Sequence, residues 1–304
     1  MKQTYLRSAG SPFRAARELY ALYVFTGKNL QKRAVDLAES TRSSIHCVEV
    51  FSGSAINGKK VLEIGPGQTK PLYYALGSKN EYTAIDLEIP PEILTISELI
   101  RIYRENGGLR ALKSLGRHLL GIDTALAKAL RTEFGGSPSG TFVQGDASST
   151  DFPNDCFDYV MSVSVFEHLP NPATVMDEIT RILKPGGTVL TVTHLYTSIT
   201  GAHDPRLFAD IEALPPWAHL NPQEDHKVQS NSYLNKLRIA DYEMLFETHW
   251  PGSENNIPEG QYGHKCSLLE KLPSQVRKKF TEQELLADVI VTLWKKPTSA
   301  QCLT

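Results

Sequence analysis

The sequence predicts an α/β protein on a doubly wound, mostly parallel sheet, with a helical cap at the amino terminus and a helical insertion. Two observations carry this. Short apolar runs of strand length alternate with stretches of helical spacing between residues 61 and 190. The first run, Val61-Leu62-Glu63-Ile64, breaks at Gly65-Pro66-Gly67 and leads into the helical spacing of Pro71 to Leu76. A strand ending in glycines lets backbone pass close to a ligand, because no Cβ stands in the way, and the first N–H groups of the next helix face the same place. That is the layout of a nucleotide-type site at the carboxyl end of a first strand.

The glycine pattern restricts the nucleotide. A dinucleotide fingerprint needs a third glycine where this chain has Lys70, and no Gly-Lys-Ser/Thr follows for a phosphate-binding loop. A second strand, Tyr82-Thr83-Ala84-Ile85-Asp86-Leu87, ends in a carboxylate 21 residues after Gly65, a place suited to a ribose diol. Then come Phe142-Val143-Gln144-Gly145-Asp146-Ala147, the run Phe157-Asp158-Tyr159-Val160 to Ser164-Val165-Phe166-Glu167-His168-Leu169, and Arg181-Ile182-Leu183-Lys184-Pro185-Gly186-Gly187-Thr188-Val189-Leu190.

In this order the motifs resemble those of the class I S-adenosylmethionine-dependent methyltransferases, type 11-like: Glu63-x-Gly65-x-Gly67 for the first, the Phe-Asp-x-Val strand with its Glu-His pair for the fourth, and the helix, Pro-Gly-Gly turn and strand for the fifth. The resemblance implies a seven-stranded sheet whose last strand, around Ala287 to Trp294, runs antiparallel. It implies S-adenosylmethionine as cofactor, with Gly65 and Gly67 allowing close approach, Glu63 as the motif's acid, Asp86 with Leu87 at the ribose, Asp146 with Ala147 at the adenine, and Ser162 of the fourth strand in the same site. Thr69 departs from the commoner glycine.

Composition bounds the rest. With 304 residues, 41% hydrophobic and 22% charged, the chain fits a soluble core domain with additions. A net charge of −2 gives no bulk attraction to nucleic acid, and no Asn/Asp-Pro-Pro-Tyr/Phe motif follows the fourth strand. No apolar run reaches the roughly 20 residues of a membrane span. The four cysteines are scattered, and residues 19–25 lack a cleavage signal, so a reduced, cytoplasmic setting is expected.

Residues 1–58 are expected to form the helical cap, with helices from Ser11 to Val24, Leu30 to Glu39 and Ser44 to Phe51; residues 59–304 form the methyltransferase domain. Residues 89–140 exceed what one crossover helix requires. They divide into helical stretches at about Glu92 to Glu105, Leu109 to Leu120 and Asp123 to Phe134, which read as an inserted helical segment. Between Arg101 and Arg131 this segment holds seven Arg or Lys against two acids. That is a solvated face, or a surface for an anionic acceptor such as a phosphorylated sugar. Residues 194–240 are expected to be the substrate loop region, with a helix at Ser230 to Leu237; Ala240 to Thr248 also reads as helix.

Methyl transfer from a sulfonium needs donor and acceptor in near-attack geometry and, for a hydroxyl acceptor, a base. His168 after the fourth strand and His194 after the fifth are the catalytic candidates, with His203 and Asp204 ranked below. His203, Asp204, Asp225 and His226 match no ligand spacing, so no metal is expected. The expected function is methylation of a small molecule or glycan, chiefly O-methylation of a sugar or secondary metabolite, without nucleic acid or a transmembrane segment and with a homodimer left open. The alternatives are a lipid or quinone methyltransferase and a non-catalytic cofactor-binding interaction protein.

Overall fold

A computed structural model of the chain describes residues 20, 29–89, 94–230, 232–258 and 262–298. The expected helix from Ser11 to Val24 lies, but for Tyr20, outside them. The first described helix, α1 (Leu30–Ser52), merges the two helices expected at 30–39 and 44–51. The polar stretch Thr41 to Ser44 does not break it, because Thr41 turns inward and its hydroxyl donates to the Leu37 carbonyl at 2.6 Å. Gly53, at φ 70°, closes it in the left-handed conformation that glycine adopts without strain.

The chain then alternates β1 (Lys60–Ile64), α2 (Pro71–Leu76) and β2 (Glu81–Asp86), followed by α3 (Ile96–Asn106), α4 (Gly108–Leu119) and α5 (Ile122–Phe134). After β3 (Thr141–Gln144) and β4 (Phe157–Val163) come a 3-10 turn at Phe166–His168, α6 (Pro172–Ile182) and β5 (Leu183–His194). The short α7 (Pro205–Ala209) precedes α8 (Ile239–His249), β6 (Glu254–Asn256), α9 (Tyr262–Leu269), α10 (Ser274–Arg277), α11 (Glu282–Leu286) and β7 (Val289–Lys295). Thr281 and Glu284 form the capping box that starts α11, each side chain accepting from the other's backbone N–H.

The seven strands form one sheet in the order β3-β2-β1-β4-β5-β7-β6. β1 to β5 pair parallel, while β7 pairs antiparallel with β5 and β6. Period-2 alternation splits the core between the two faces. Leu62, Ile64, Val160 and Val189 pack against Met176 and Ile179 of α6 and Tyr242, Phe246 and Trp250 in and beyond α8. Val61, Tyr82, Met161 and Leu190 pack against Val48 of α1 and Leu72 and Leu76 of α2. α5 joins that second layer, with Leu126 and Leu130 buried against Ala34 and Tyr74.

One expectation fails here. Residues 232–238 are not helical; they run as an irregular strap in which Lys236 has φ 60°. Asn235 explains it, since its side-chain amide donates to the carbonyls of Phe166 at 2.8 Å and Leu169 at 3.2 Å. Those bonds to a distant turn replace the local ones a helix would need.

Candidate active site

The parallel strands bring their carboxyl ends together, and the candidate donor residues lie there. β1 aligns Ile64 with Ile85 of β2 and with Ser162 of β4, and β2 aligns Asp86 with Gln144 of β3. Gly65 leaves the sheet at φ 70°, its N–H donating to the Ile85 carbonyl at 2.8 Å. A Cβ on Gly65 would sit 2.4 Å from a methyl of Val165. The glycine loop therefore rests directly on the segment entering the Phe166–His168 turn. Gly67, at φ 59°, has open space where its Cβ would point.

Asp86 caps this loop. Its carboxylate accepts from the Glu88 N–H at 3.2 Å; burial raises its pKa, and the N–H groups of Glu88, Leu87 and Gly67 oppose that. Glu63, within β1, is 3% exposed and accepts from the Tyr82 hydroxyl. Burial, with the Asp86 charge adding and Lys70 opposing, pushes Glu63 up to about 8, so it is largely protonated at neutral pH. Asp146 is exposed on the turn after β3; the Ser148 N–H and hydroxyl, at 2.9 and 2.7 Å, hold it below the usual carboxylate range. Ala147 packs partly against the core and Leu87 is exposed. Ser162 is buried beneath the loop, its hydroxyl donating to the Ile64 carbonyl at 3.4 Å. One contact here has no signal in the sequence: the Gln68 amide donates to Asp123 at 3.0 Å, and Asp123 is also held by Arg117. The start of α5 is thereby tied to the glycine loop.

Beyond β4 and β5 lies a second group of polar side chains. His168 ends the 3-10 turn with its Nδ1 2.8 Å from the Tyr233 carbonyl of the strap. His194 ends β5, its Nδ1 2.6 Å from Nε2 of His203 and its Nε2 3.0 Å from the Thr200 hydroxyl. The rings of His168 and His203 meet edge to face at 4.8 Å. Burial lowers all three imidazoles, His194 to about 4 and His203 to about 2, so they are neutral at pH 7. Glu167 faces them, 2% exposed, with neither carboxylate oxygen in a hydrogen bond; burial pushes it up to about 8 despite the nearby N–H groups of Glu167 and His194.

The structure thus places His168, His194 and the lower-ranked His203 in one cluster, and adds Glu167. It does not bring in Asp204, which caps α7 through the Arg206 N–H and accepts from the Gln229 N–H at 2.7 Å. Asp225 and His226 are exposed on a separate turn. Glu167 carried a signal, its place beside His168, but burial of a carboxylate without a partner is not visible in sequence.

A doubly wound sheet carrying an antiparallel β7, with a glycine loop at β1 and acids at the ends of β2 and β3, has the layout of a nucleotide-type site. Residues 105–191 match a family model described as a methyltransferase domain. A probable chloroplastic tocopherol O-methyltransferase of Oryza sativa subsp. japonica is 27% identical over 132 residues, which is 40% of this chain and 36% of that one. A sterol 24-C-methyltransferase of Neurospora crassa is 40% identical over 67 residues, 22% of this chain and 17% of that one. The matched segments span well under half the length of these relatives. Among solved structures, a Haemonchus contortus phosphoethanolamine N-methyltransferase 2 in complex with S-adenosyl-L-methionine is similar at 15% identity and a TM-score of 0.48, over 84% of this chain and 53% of that one.

Proposed function

We propose that this protein transfers the methyl group of S-adenosylmethionine to a hydroxyl of a small organic acceptor, a sugar or secondary metabolite. The contact of Gly65 with Val165 carries the reading, because it sets the glycine loop against the turn that bears Glu167 and His168. Donor and proton acceptor would then share one mouth over β1 and β4.

The residues present fit the cofactor. Asp86 would take the ribose hydroxyls, Asp146 and Ala147 the adenine edge, and the backbone at Gly65 and Gly67 the approach of the rest. Bound there, the cofactor supplies an electrophilic methyl on a sulfonium. The chain's own part is to orient both partners and to take the acceptor's proton. A neutral His168 suits proton removal, since Nδ1 donates to the Tyr233 carbonyl and Nε2 is then the basic nitrogen of the ring. His194 and His203 extend the same polar wall. Residues 89–140 and 194–240 would form the sides of the acceptor pocket, as an insertion and a loop region of the domain at 59–304 beside the amino-terminal cap at 1–58.

One observation favours a second reading, a lipid-like or quinone acceptor. α3 and α4, with the residue just past α4, expose Ile96, Ile100, Tyr103, Leu112, Leu119 and Leu120 beside a basic set that includes Arg104. Such a face suits an anionic lipid surface, and tocopherol and sterol, the acceptors named for two relatives, are lipid-soluble. Among the described residues no helix is long and apolar enough to cross a membrane.

The test is transfer of label from methyl-labelled S-adenosylmethionine to a panel of sugars, phenols and prenylated phenols, with flotation on anionic vesicles alongside. O-methyl sugars or phenols without vesicle binding support the first reading. Turnover only with prenylated acceptors, together with flotation lost on substituting Ile100 and Leu112 by Glu, supports the second. Cofactor binding with no turnover on any acceptor favours the non-catalytic alternative.

A further inference from the structure

We infer that Glu167, His168 and His203 form a binding site for a divalent first-row transition metal ion. One donor atom from each of the three lies within 4.8 Å of the others. Nε2 of His168 is 3.9 Å and Nε2 of His203 is 4.0 Å from Oε1 of Glu167. Donors sharing one tetrahedral ion at about 2.1 Å stand roughly 3.4 Å apart, so the two contacts with Glu167 need to close by about half an ångström and the widest separation in the set, up to 4.8 Å, by about 1.4 Å.

Two independent features point to a cation. Glu167 is 2% exposed and both its oxygens lack a hydrogen bond, an arrangement that costs free energy unless something positive meets it. His168 also has the second contact that ligating imidazoles make: a carbonyl, Tyr233, accepts from Nδ1–H and so aims Nε2 at Glu167. The strap that supplies this carbonyl is anchored on the same turn by Asn235, whose N–H donates to the Glu167 carbonyl at 2.9 Å.

Two imidazoles and one carboxylate favour zinc, iron or cobalt over magnesium or calcium, which prefer oxygen. Three protein ligands leave an open position. Metal binding replaces the hydrogen bond between His203 and His194, and His194 stays behind as a neighbour of the bound ion. With Nε2 of His168 on the ion, that nitrogen no longer serves as the base. In methyl transfer the open position would take the acceptor hydroxyl and make its proton easier to remove, with the neighbouring His194 to receive it; that role rests on the proposed function, whereas binding of the ion does not. The spacing of these residues in sequence conceals the set, since His203 arrives from a different loop.

The experiment strips the protein with a chelator, adds Zn2+ or Co2+, and measures bound metal by mass spectrometry and Co2+ by its visible ligand-field absorption. S-adenosylmethionine binding is followed in parallel. The expected result is one equivalent of metal, with affinity weakened about 100-fold in Glu167→Gln and in His203→Ala while cofactor binding persists. A folded protein that binds the cofactor but takes up no stoichiometric metal overturns the inference and leaves the proposed function standing. Equal uptake by the parent and both variants overturns it too, as adventitious binding elsewhere. Loss of cofactor binding in the parent itself would instead count against the proposed function.

Discussion

Gly65 is where the geometry constrains a single residue most. Alanine there would place a Cβ 2.4 Å from Val165 and hold φ at 70°. Gly65→Ala is expected to lower stability by about 2–4 kcal/mol through crowding and backbone strain together. Adding Val165→Ala should return the crowding part and leave the strain. Thermal denaturation of the two variants checks this, and a Gly65→Ala protein as stable as the parent would contradict it. Glu63 makes a prediction of a different kind. Its pKa rises from 4.5 unfolded to about 8 folded, so folding takes up a proton between those values. Its contribution is fully present below about pH 4.5 and is lost as pH rises through 8, at about 1.4 kcal/mol per pH unit within the window. Glu167 adds a slope of the same sign. Urea denaturation from pH 5 to pH 8 should give a slope shallower by one proton in Glu63→Gln; an unchanged slope would mean Glu63 is ionised in the folded protein. At this scale the gathering of the candidate donor residues at the strand ends is legible in the sequence because their motifs are local. Asp204 is not, since adjacency to His203 does not reveal that its carboxylate is occupied by Arg206 and Gln229.

Among the elements, the start of α5 is tied to the glycine loop through Asp123, which Gln68 and Arg117 share. The pair is partly exposed, so the effect should be modest. Asp123→Ala is expected to weaken S-adenosylmethionine binding roughly 3–10-fold, the worth of one charge-assisted hydrogen bond near the surface, with little change in melting temperature. Calorimetric titration distinguishes this from an insertion that merely covers the sheet, for which affinity would not move. The helices of this segment are legible to within a few residues from glycines and periodicity alone. The strap at 232–238 is not. Its polar residues look like helix caps and turns, yet Tyr233 and Asn235 spend their hydrogen bonds on the Phe166–His168 turn, a partner that sequence spacing does not reveal. α1 departs from expectation in the opposite direction, because Thr41 satisfies its own hydroxyl inside the helix.

For the whole molecule, the sheet order follows from the family resemblance more than from any periodicity. Alternation gives strands and helices, but it does not say that β7 inserts between β5 and β6. The two-faced core follows directly from the apolar runs, since strands covered on both sides need both sets of alternating positions to be apolar. The family match covers residues 105–191 and therefore β3 to β5 but for the last three residues of β5, whereas the glycine loop and Asp86 lie before it. The donor site thus stands on motif and geometry, and it is the place to test first. Titration calorimetry of the purified protein with S-adenosylmethionine and its demethylated product, with NAD and NADP as controls, is the direct measurement. The expected result is binding of the two sulfur nucleosides at about micromolar affinity, none of the dinucleotides, and loss of binding in a folded Asp86→Ala variant. A folded parent that binds neither sulfur nucleoside, or a variant that binds them as well as the parent, would contradict the assignment of the donor site.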